Sequence, residues 1–321
     1  MIDYCIVGSG IAGSTIANLL SKKYSVEVID KARGPGGRAS NRRYKKNLSF
    51  DHGLQYISPK SKNFTNFLNQ LEKKKIIKTW QGNHLDFNFA KKENIKKYIG
   101  FTSNNSIPKY LLNKLKTHFQ SEVTSIKFNS NHWLININNN QNILSKNLIL
   151  TCPYPQLKKL SYKYLKKEIA SFNPQMIANI TAMFVYKNLP NLPISSIRFN
   201  DELLGWAANE NSKERFKSKE ALWTIQCNQT YSKKIIDKFK SNKLKYMKEI
   251  AKRFEKIIGI SSKDIIFKSI HGWRYAFSSK KTKLDCVWNK KYRLGVCADW
   301  FLGNKAEDAW MSAHSLYKKI K

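Results

Sequence analysis

The chain opens on a short apolar run, residues 3–7 (DYCIV), closed by Gly8. Residues 14–22 then have helical character, and residues 25–30 (SVEVID) alternate apolar and polar positions as a strand does. This pattern predicts a strand–helix–strand unit within thirty residues. Between Ser61 and Trp80, Phe64, Phe67, Leu68, Leu71 and Ile76 recur near helical spacing with lysines facing outward. Ser106, followed by Ile107 and Pro108, reads as the N-cap of a helix carrying Leu111, Leu112, Leu115 and Phe119. From 122 to 151 the pattern is strand-like: VTSIKF, a turn at Asn129 to Asn131, the alternating HWLININ, and the apolar NLILT ending near Pro153. From about 175 to 228, MIANITAMFVY, SSIRFN, LLGWAAN and ALWTIQC follow one another across short turns, which predicts an antiparallel sheet. A lysine-rich helical pattern covers about 232–258. The chain ends in a strand (294–299), a turn containing Gly303 and a helix over about 305–320.

The order of these elements predicts two domains between which the chain passes more than once. With 321 residues, 8 Trp, 15 Tyr and 17 Phe, there is ample material for a buried core. Charge changes the picture more. The 58 Lys and Arg against 22 Asp and Glu give a formal net charge of +36, which draws polyanions: nucleic acid, dinucleotides, phosphorylated substrates or an anionic membrane. The lysines also come in runs among abundant Asn and Ile, so coding bias remains an open reading of the same number. They are spread over every element without a recognition motif, so no specific nucleic-acid partner is expected, and a basic nucleic-acid-binding protein stays a remote alternative.

The five cysteines, Cys5, Cys152, Cys227, Cys286 and Cys297, are odd in number, far apart and never in CxxC spacing, so neither a disulfide framework nor a zinc site is expected and a reduced, cytoplasmic setting fits. The first twenty residues lack a basic leader and are interrupted by three glycines, and no other run approaches membrane-spanning length, so the expectation is a soluble protein without a membrane partner. Neither HExxH, a histidine pair at metal spacing, GxSxG nor a Walker A sequence occurs, and no metal is expected.

Gly8, Gly10 and Gly13 form a GxGxxG between strand and helix, with Ile11 and Ala12 at the helix start. Such a turn brings backbone N–H groups and a helix N-terminus to a pyrophosphate. Asp30 ends the next strand, where a carboxylate accepts the hydroxyls of an adenosine ribose and repels a 2′-phosphate. Lys31-Ala32-Arg33-Gly34-Pro35-Gly36-Gly37-Arg38 follows, a second glycine arm in which Arg33 or Arg38 can meet phosphate oxygens. A nicotinamide dehydrogenase has no need of this second arm.

Together with Phe50-Asp51-His52-Gly53-Leu54-Gln55-Tyr56, the segment 205–209 (GWAAN) with Lys213 and Arg215, Trp273-Arg274-Tyr275-Ala276, and the segment 297–303 (CADWFLG) before Glu307, this pattern resembles the renalase-like branch of the FAD-dependent amine-oxidase superfamily over nearly the whole chain. The resemblance implies an α/β fold, α+β overall: a Rossmann-like FAD-binding domain of the glutathione-reductase and p-hydroxybenzoate-hydroxylase type with a discontinuous antiparallel-sheet substrate domain. It implies that residues 1–60, 101–165 and 270–321 form the FAD-binding domain and residues 61–100 and 166–269 the substrate domain. FAD would be noncovalent, since Cys297 lies in the strand before the last turn. Besides the glycine arms, the implied cofactor contacts are Asp30, Lys31, Arg33, Arg38, the backbone of Val123 at the adenine, Asp51, His52 and Gly53 along the isoalloxazine edge, and Asp299 at the ribityl chain. Lys305, Ala306 and Glu307 would open a helix aimed at the flavin N1 and C2 carbonyl.

The resemblance places His52, Gln55, Tyr56, Trp206, Trp273 and Tyr275 as candidate substrate contacts, with His271 and Trp300 as further candidates. Arg42, Arg43, Arg198, Lys213 and Arg215 are loose candidates for meeting substrate phosphates. The implied activity is oxidation of dihydronicotinamide isomers of NAD(P)H to NAD(P)+ by hydride transfer to flavin N5, with O2 as acceptor and hydrogen peroxide as product. A flavin amine oxidase or a desaturase is the alternative within the same fold.

Overall fold

The computed structural model describes residues 1–90, 95–138, 141–170, 172–187, 192–259 and 264–321. The chain runs β1 (Ile2–Val7), α1 (Ile11–Leu20), β2 (Val26–Ile29), the hairpin β3 (Asn41–Arg43) and β4 (Ser49–Asp51), and α2 (Lys62–Lys73). Three short strands follow, β5 (Ile77–Thr79), β6 (His84–Leu85) and β7 (Tyr98–Gly100), then α3 (Ser106–Leu111) and β8 (Lys116–His118). Next come β9 (Val123–Asn129), β10 (His132–Ile137), β11 (Gln141–Leu150) and α4 (Tyr154–Ile169). The middle holds β12 (Met176–Tyr186), β13 (Ser196–Arg198), β14 (Leu204–Asn209), β15 (Ala221–Cys227), α5 (Gln229–Ile235) and α6 (Lys243–Ile258). The last part is β16 (Ile265–Ser278), β17 (Val287–Asn289), β18 (Leu294–Val296) and α7 (Ala306–Ile320).

Two sheets organise these elements into a mixed α/β fold with a Rossmann-like first unit. In the first sheet the order is β17-β18-β11-β1-β2-β8, with β1, β2, β8, β11 and β18 parallel and β17 an antiparallel edge. Its central strands are apolar on both faces because both are covered. Ile6, Val28 and Ile149 pack under Ile16 and Leu20 of α1 and Ala313 and Leu316 of α7. Cys5, Leu148 and Leu150 face Trp133 of the β9–β10 hairpin and Leu157 and Leu165 of α4. The second sheet has the order β16-β12-β15-β14-β13-β6, antiparallel except for the β13–β6 pair. One face packs on α5 and α6 through Ile180, Phe184, Trp223 and Phe254. The other face, through Met183, Val185 and Leu222, covers Phe50 of β4 and so roofs the loop that follows it. Among the described residues, no helix is long and apolar enough to cross a membrane.

Several elements differ from the pattern-based expectation. The helix expected over 61–80 ends at Lys73, where the chain turns through Lys75 in a left-handed conformation into β5; Ser61 does cap it, accepting from the Phe64 N–H. The helix expected from Ser106 through Phe119 is only six residues long, and its cap position is Asn105, not Ser106. Beyond it, Lys116–His118 completes the free edge of β2, pairing with Glu27–Ile29; the ladder hydrogen bonds offered there override helical spacing. The single helix expected over 232–258 is two, α5 and α6, the second capped by the Asn242 side chain. β16 has no counterpart in the pattern reading, because most of its residues are half-exposed and its alternation is weak. It begins before the expected boundary at 270 and lies in the second sheet, so residues 270–278, expected with the first domain, belong to that sheet.

Candidate cofactor and substrate site

At the C-terminal edge of the first sheet, β1 runs into Gly8, whose N–H donates to the Ile29 carbonyl, and α1 starts at Ile11 with Gly13 inside its first turn. Gly10, at the N-cap position, supplies no capping side chain, and the first turn contains no acid. The leading N–H groups and the positive end of the helix dipole are therefore available to an anion. The second glycine arm lies directly against this turn: the Gly36 N–H donates to the Ser9 carbonyl at 3.0 Å, and a Cβ on Gly37, which has φ +53°, would come within 3.2 Å of the Gly10 Cα. Two bare backbones thus form one cradle. Asp30 closes its side. Its carboxylate accepts from the Ser9 N–H at 2.7 Å and hydroxyl at 2.5 Å, and from the Ala32 N–H at 2.8 Å. The Asp30 carbonyl accepts from the Ser121 N–H, which brings Val123, at the start of β9, next to the carboxylate-bearing turn. Lys31 lies at the exposed rim, 3.6 Å from Glu122, and Arg33 is exposed and unpaired among the described residues.

Arg38 and Asp299 are not free contacts. The Arg38 guanidinium donates to Asp299 Oδ1 and, at 2.9 Å, to the Ala276 carbonyl, tying the second glycine arm to β16 and to the turn after β18. The turn opening α7 also differs from expectation. The Lys305 N–H donates to Asp308 at 2.8 Å, and Ala306 is buried against Ile57, Phe64 and Ile107. Both Glu307 carboxylate oxygens accept from the N–H groups of Lys60 and Ser61 at 2.8 Å, so this acid fastens the start of α2. Two acids in its first turn, Glu307 and Asp308, neutralise the positive end of α7.

The loop after β4 rests on a buried charge cluster. Asp51, Lys213 and Glu210 are buried, and the Arg215 side chain is 3% exposed. Lys213 Nζ lies 3.0 Å from Asp51 Oδ2 and 2.9 Å from Glu210 Oε2, and Arg215 donates to the same Asp51 oxygen, to Asn104 Oδ1 and to the Gly100 carbonyl. Burial pushes the Asp51 carboxyl up, and Arg215 and Lys213 overcome it, holding the group below its ordinary range. Glu210, for which burial is the dominant influence, is held above its ordinary range. Both ends of the Gln55 amide are committed as well: it donates to the Asp51 carbonyl and accepts from Lys213 at 3.3 Å.

These contacts correct four expectations. Asp51 is internal to the protein rather than a contact along an isoalloxazine edge, Gln55 is internal rather than a substrate contact, and Lys213 and Arg215 are not cations at a mouth. Gly53 is required by the protein itself, because a Cβ there would meet the Arg38 carbonyl at 2.1 Å and the Trp273 ring at 3.1 Å. Glu210, Asn104 and Gln226, whose side chain donates to the Gly53 carbonyl at 2.8 Å, were missed by sequence reasoning; the only available signal was a lone acid between Asn209 and Lys213.

Above the cluster, the His271 ring packs edge to face on His52 and on Trp273, and His52 and Trp273 are tilted against each other. Ring centroids lie 4.9 Å apart for the two histidines, 5.0 Å for His52 and Trp273, and 4.3 Å for His271 and Trp273. Trp273 Nε1 donates to the His52 carbonyl at 2.8 Å. His52 is buried, and its Nδ1 has no hydrogen-bond partner among the described residues. Burial, reinforced by His271, lowers its pKa to about 3; burial, with Arg42 and Lys240, lowers that of His271. Both imidazoles are therefore neutral near pH 7. Tyr275, half-buried, shares a strand face with Trp273 two residues away. Tyr56 and Trp206 form a separate aromatic group with Trp80, which sequence reasoning missed, at centroid separations of 6.4 Å. Trp300 is core: it is fully buried, stacks on Phe301 and donates to the Cys152 carbonyl. Arg42, Arg43 and Arg198 are exposed.

Residues 6–71 match the family described as NAD(P)-binding Rossmann-like domain. Among solved structures, the chain is similar to one described as a protoporphyrinogen oxidase from Exiguobacterium, with a TM-score of 0.76 at 10% identity, covering 99% of this chain and 98% of that one. It is also similar to putrescine oxidase bound to putrescine (TM-score 0.66, 11% identity, 99% and 98% covered) and to an oxidoreductase from Methanosarcina mazei (0.70, 14%, 98% and 100%). The fold is shared from end to end.

Proposed function

We propose that this protein is a flavin amine-oxidase-like, FAD-dependent oxidoreductase, and that it oxidises dihydronicotinamide isomers of NAD(P)H. The residues fit an adenine dinucleotide: the Gly10–Gly37 cradle is a space that a Cβ would fill, the α1 N-terminus has neither cap nor acid, and Asp30 stands beside both. The cradle N–H groups and the α1 dipole would hold a pyrophosphate, Asp30 a ribose, and Arg33 an outer phosphate oxygen. His52 Nδ1, buried without a hydrogen-bond partner among the described residues, would be satisfied by a polar group of the cofactor or substrate. When bound, FAD accepts a hydride at N5 and returns the electrons to O2, with hydrogen peroxide as product.

The choice of substrate rests on one observation: among the described residues, the acids beneath the aromatic wall are paired with buried cations, and burial lowers the basicity of both histidines in it. Asp51 and Glu210 are locked to Lys213 and Arg215, and an imidazole with a pKa of about 3 is a poor base near neutrality. A dihydropyridine suits such a site, because it is already a hydride donor and becomes aromatic on losing the hydride. Trp273, held by its hydrogen bond to the loop, would orient a flat ring, and exposed Arg42 adds positive potential for a phosphate-bearing molecule. The Tyr56–Trp80–Trp206 group favours a second reading, an amine oxidase with an aromatic cage for an alkylamine. Peroxide release assayed with dihydro isomers of NAD(P)H beside putrescine separates them: the proposal expects turnover of the dinucleotides, and turnover of the diamine alone overturns it.

A further inference from the structure

The cysteines that sequence spacing set aside include one pair brought together by the fold. β17 and β18 are antiparallel neighbours in which Val287 faces Val296, Trp288 faces Gly295 and Asn289 faces Leu294. One step outward along this register, Cys286 stands opposite Cys297. The side chains confirm the alternation: Val287 and Val296 lie together in the core on one face of the sheet, and Cys286 and Cys297 lie together in the core on the other, beneath Ala313 and Leu316 of α7. Directly opposed residues of an antiparallel pair have Cα atoms about 4.5–5.5 Å apart. That lies inside the ~4.4–6.8 Å range of disulfide-linked cysteines. Both side chains are fully buried, and neither is in a disulfide.

We propose that Cys286 and Cys297 are a dithiol–disulfide site, whose oxidised form fastens the edge strand β17 to β18 immediately before Asp299. The location gives the bond an effect. Among the described residues, β17 is held to the sheet by three residue pairs to β18, and β18 leads through Cys297 and Ala298 into the Asp299 that holds Arg38. A short edge ladder of this kind opens locally, which gives a small oxidant access to buried sulfur.

Burial raises both thiols above their ordinary range; at Cys286 the nearby Lys319 offsets part of the effect, so Cys286 ionises first and is the attacking sulfur. With hydrogen peroxide as oxidant, the Cys286 thiolate attacks one oxygen, the O–O bond breaks, and the departing hydroxide takes up a proton to leave as water. Cys297 then attacks the Cys286 sulfenic acid, giving up its thiol proton as the S–O bond breaks, and the second water leaves. Two thiols have lost two electrons and two protons, and one peroxide has become two waters.

The test uses the full chain and added oxidant, so it does not depend on the proposed activity. The folded protein is titrated with hydrogen peroxide or diamide, remaining thiols are alkylated in denaturant, and the protein is digested with trypsin. We expect the peptide Leu284–Lys290 joined to Leu294–Lys305, two hydrogen masses lighter than their sum, while Cys5, Cys152 and Cys227 remain alkylated. Oxidation is also expected to raise the Tm by roughly 5 °C, reversibly with dithiothreitol, and not in Cys286→Ala. The proposal is overturned if Cys286 and Cys297 stay alkylated at oxidant levels that modify the half-buried Cys152, if their linkages are to other cysteines, or if the linked form melts lower than the reduced one.

Discussion

The glycine cradle and the loop after β4 lie side by side but are built from different materials. The cradle is made of backbone: Gly10 against Gly37, Gly36 hydrogen-bonded to Ser9, and one carboxylate, Asp30, fixed by main-chain and hydroxyl donors from its own neighbourhood. The loop is made of side chains gathered from afar, with Asp51 held by Lys213 and Arg215 more than 160 residues away. A backbone site tolerates no Cβ yet loses little fold stability when one of its contacts to a ligand is removed. A site standing on buried charges is the reverse, since deleting one charge leaves its partners unpaired in a low-dielectric interior.

The sharpest way to break this contrast is therefore Lys213→Met. It leaves Asp51 and Glu210 without their shared cation, and we expect a stability loss of about 3–5 kcal/mol in denaturant unfolding, as for other buried pairs with one partner removed. A loss near zero would mean that the cluster does not support the loop. Asp30→Ala should do the opposite: little change in unfolding, with FAD binding weakened roughly tenfold to a hundredfold in titration, the equivalent of about 1.5–3 kcal/mol for hydrogen bonds to a charged group.

Acid probes the loop a third way. His52, at about 3, and His84 and His314, at about 4, are lowered chiefly by burial, so the unfolded chain binds protons that the folded chain refuses. Their contribution to stability is complete above the unfolded-state value of 6.5 and is lost as pH falls from there towards 3–4. Unfolding free energy should drop from pH 6.5 to 4.5, and His52→Gln should remove a slope of about 1.4 kcal/mol per pH unit in that window. An unchanged slope would mean that His52 is charged in the fold. The smallest effect is expected at the rim, where Arg42→Ala should raise KM for a phosphate-bearing substrate by about threefold to tenfold, less in high salt, with kcat unchanged.

How much of this was legible in the sequence follows the same division. The βαβ start, the GxGxxG turn and Asp30 at the end of β2 are local: a glycine spacing and a period of two dictate them whatever the rest of the chain does. Arg38, Asp299 and Glu307 were legible as residues near the site but not in their partners, because an Arg38–Asp299 pair and a carboxylate accepting the Lys60 and Ser61 N–H groups are decided by how distant elements pack. Lys213 and Arg215 look in sequence like two more members of a basic surface; only the arrival of Asp51 and Asn104 from other elements makes them internal. The missed strand β16 and the shortened α3 have the same origin, since hydrogen bonds offered by β12 and β2 decided structure that residue periodicity alone did not.

The central claim is that the cradle of Gly10, Gly37 and Asp30 binds FAD without a covalent bond. It is tested most directly by the visible absorbance of the purified protein after incubation with FAD and removal of excess, followed by acid precipitation. The account predicts flavin bands that stay with the folded protein, pass entirely into the acid supernatant, and accompany a rise in Tm. A protein that remains colourless and melts at the same temperature with and without FAD would contradict it.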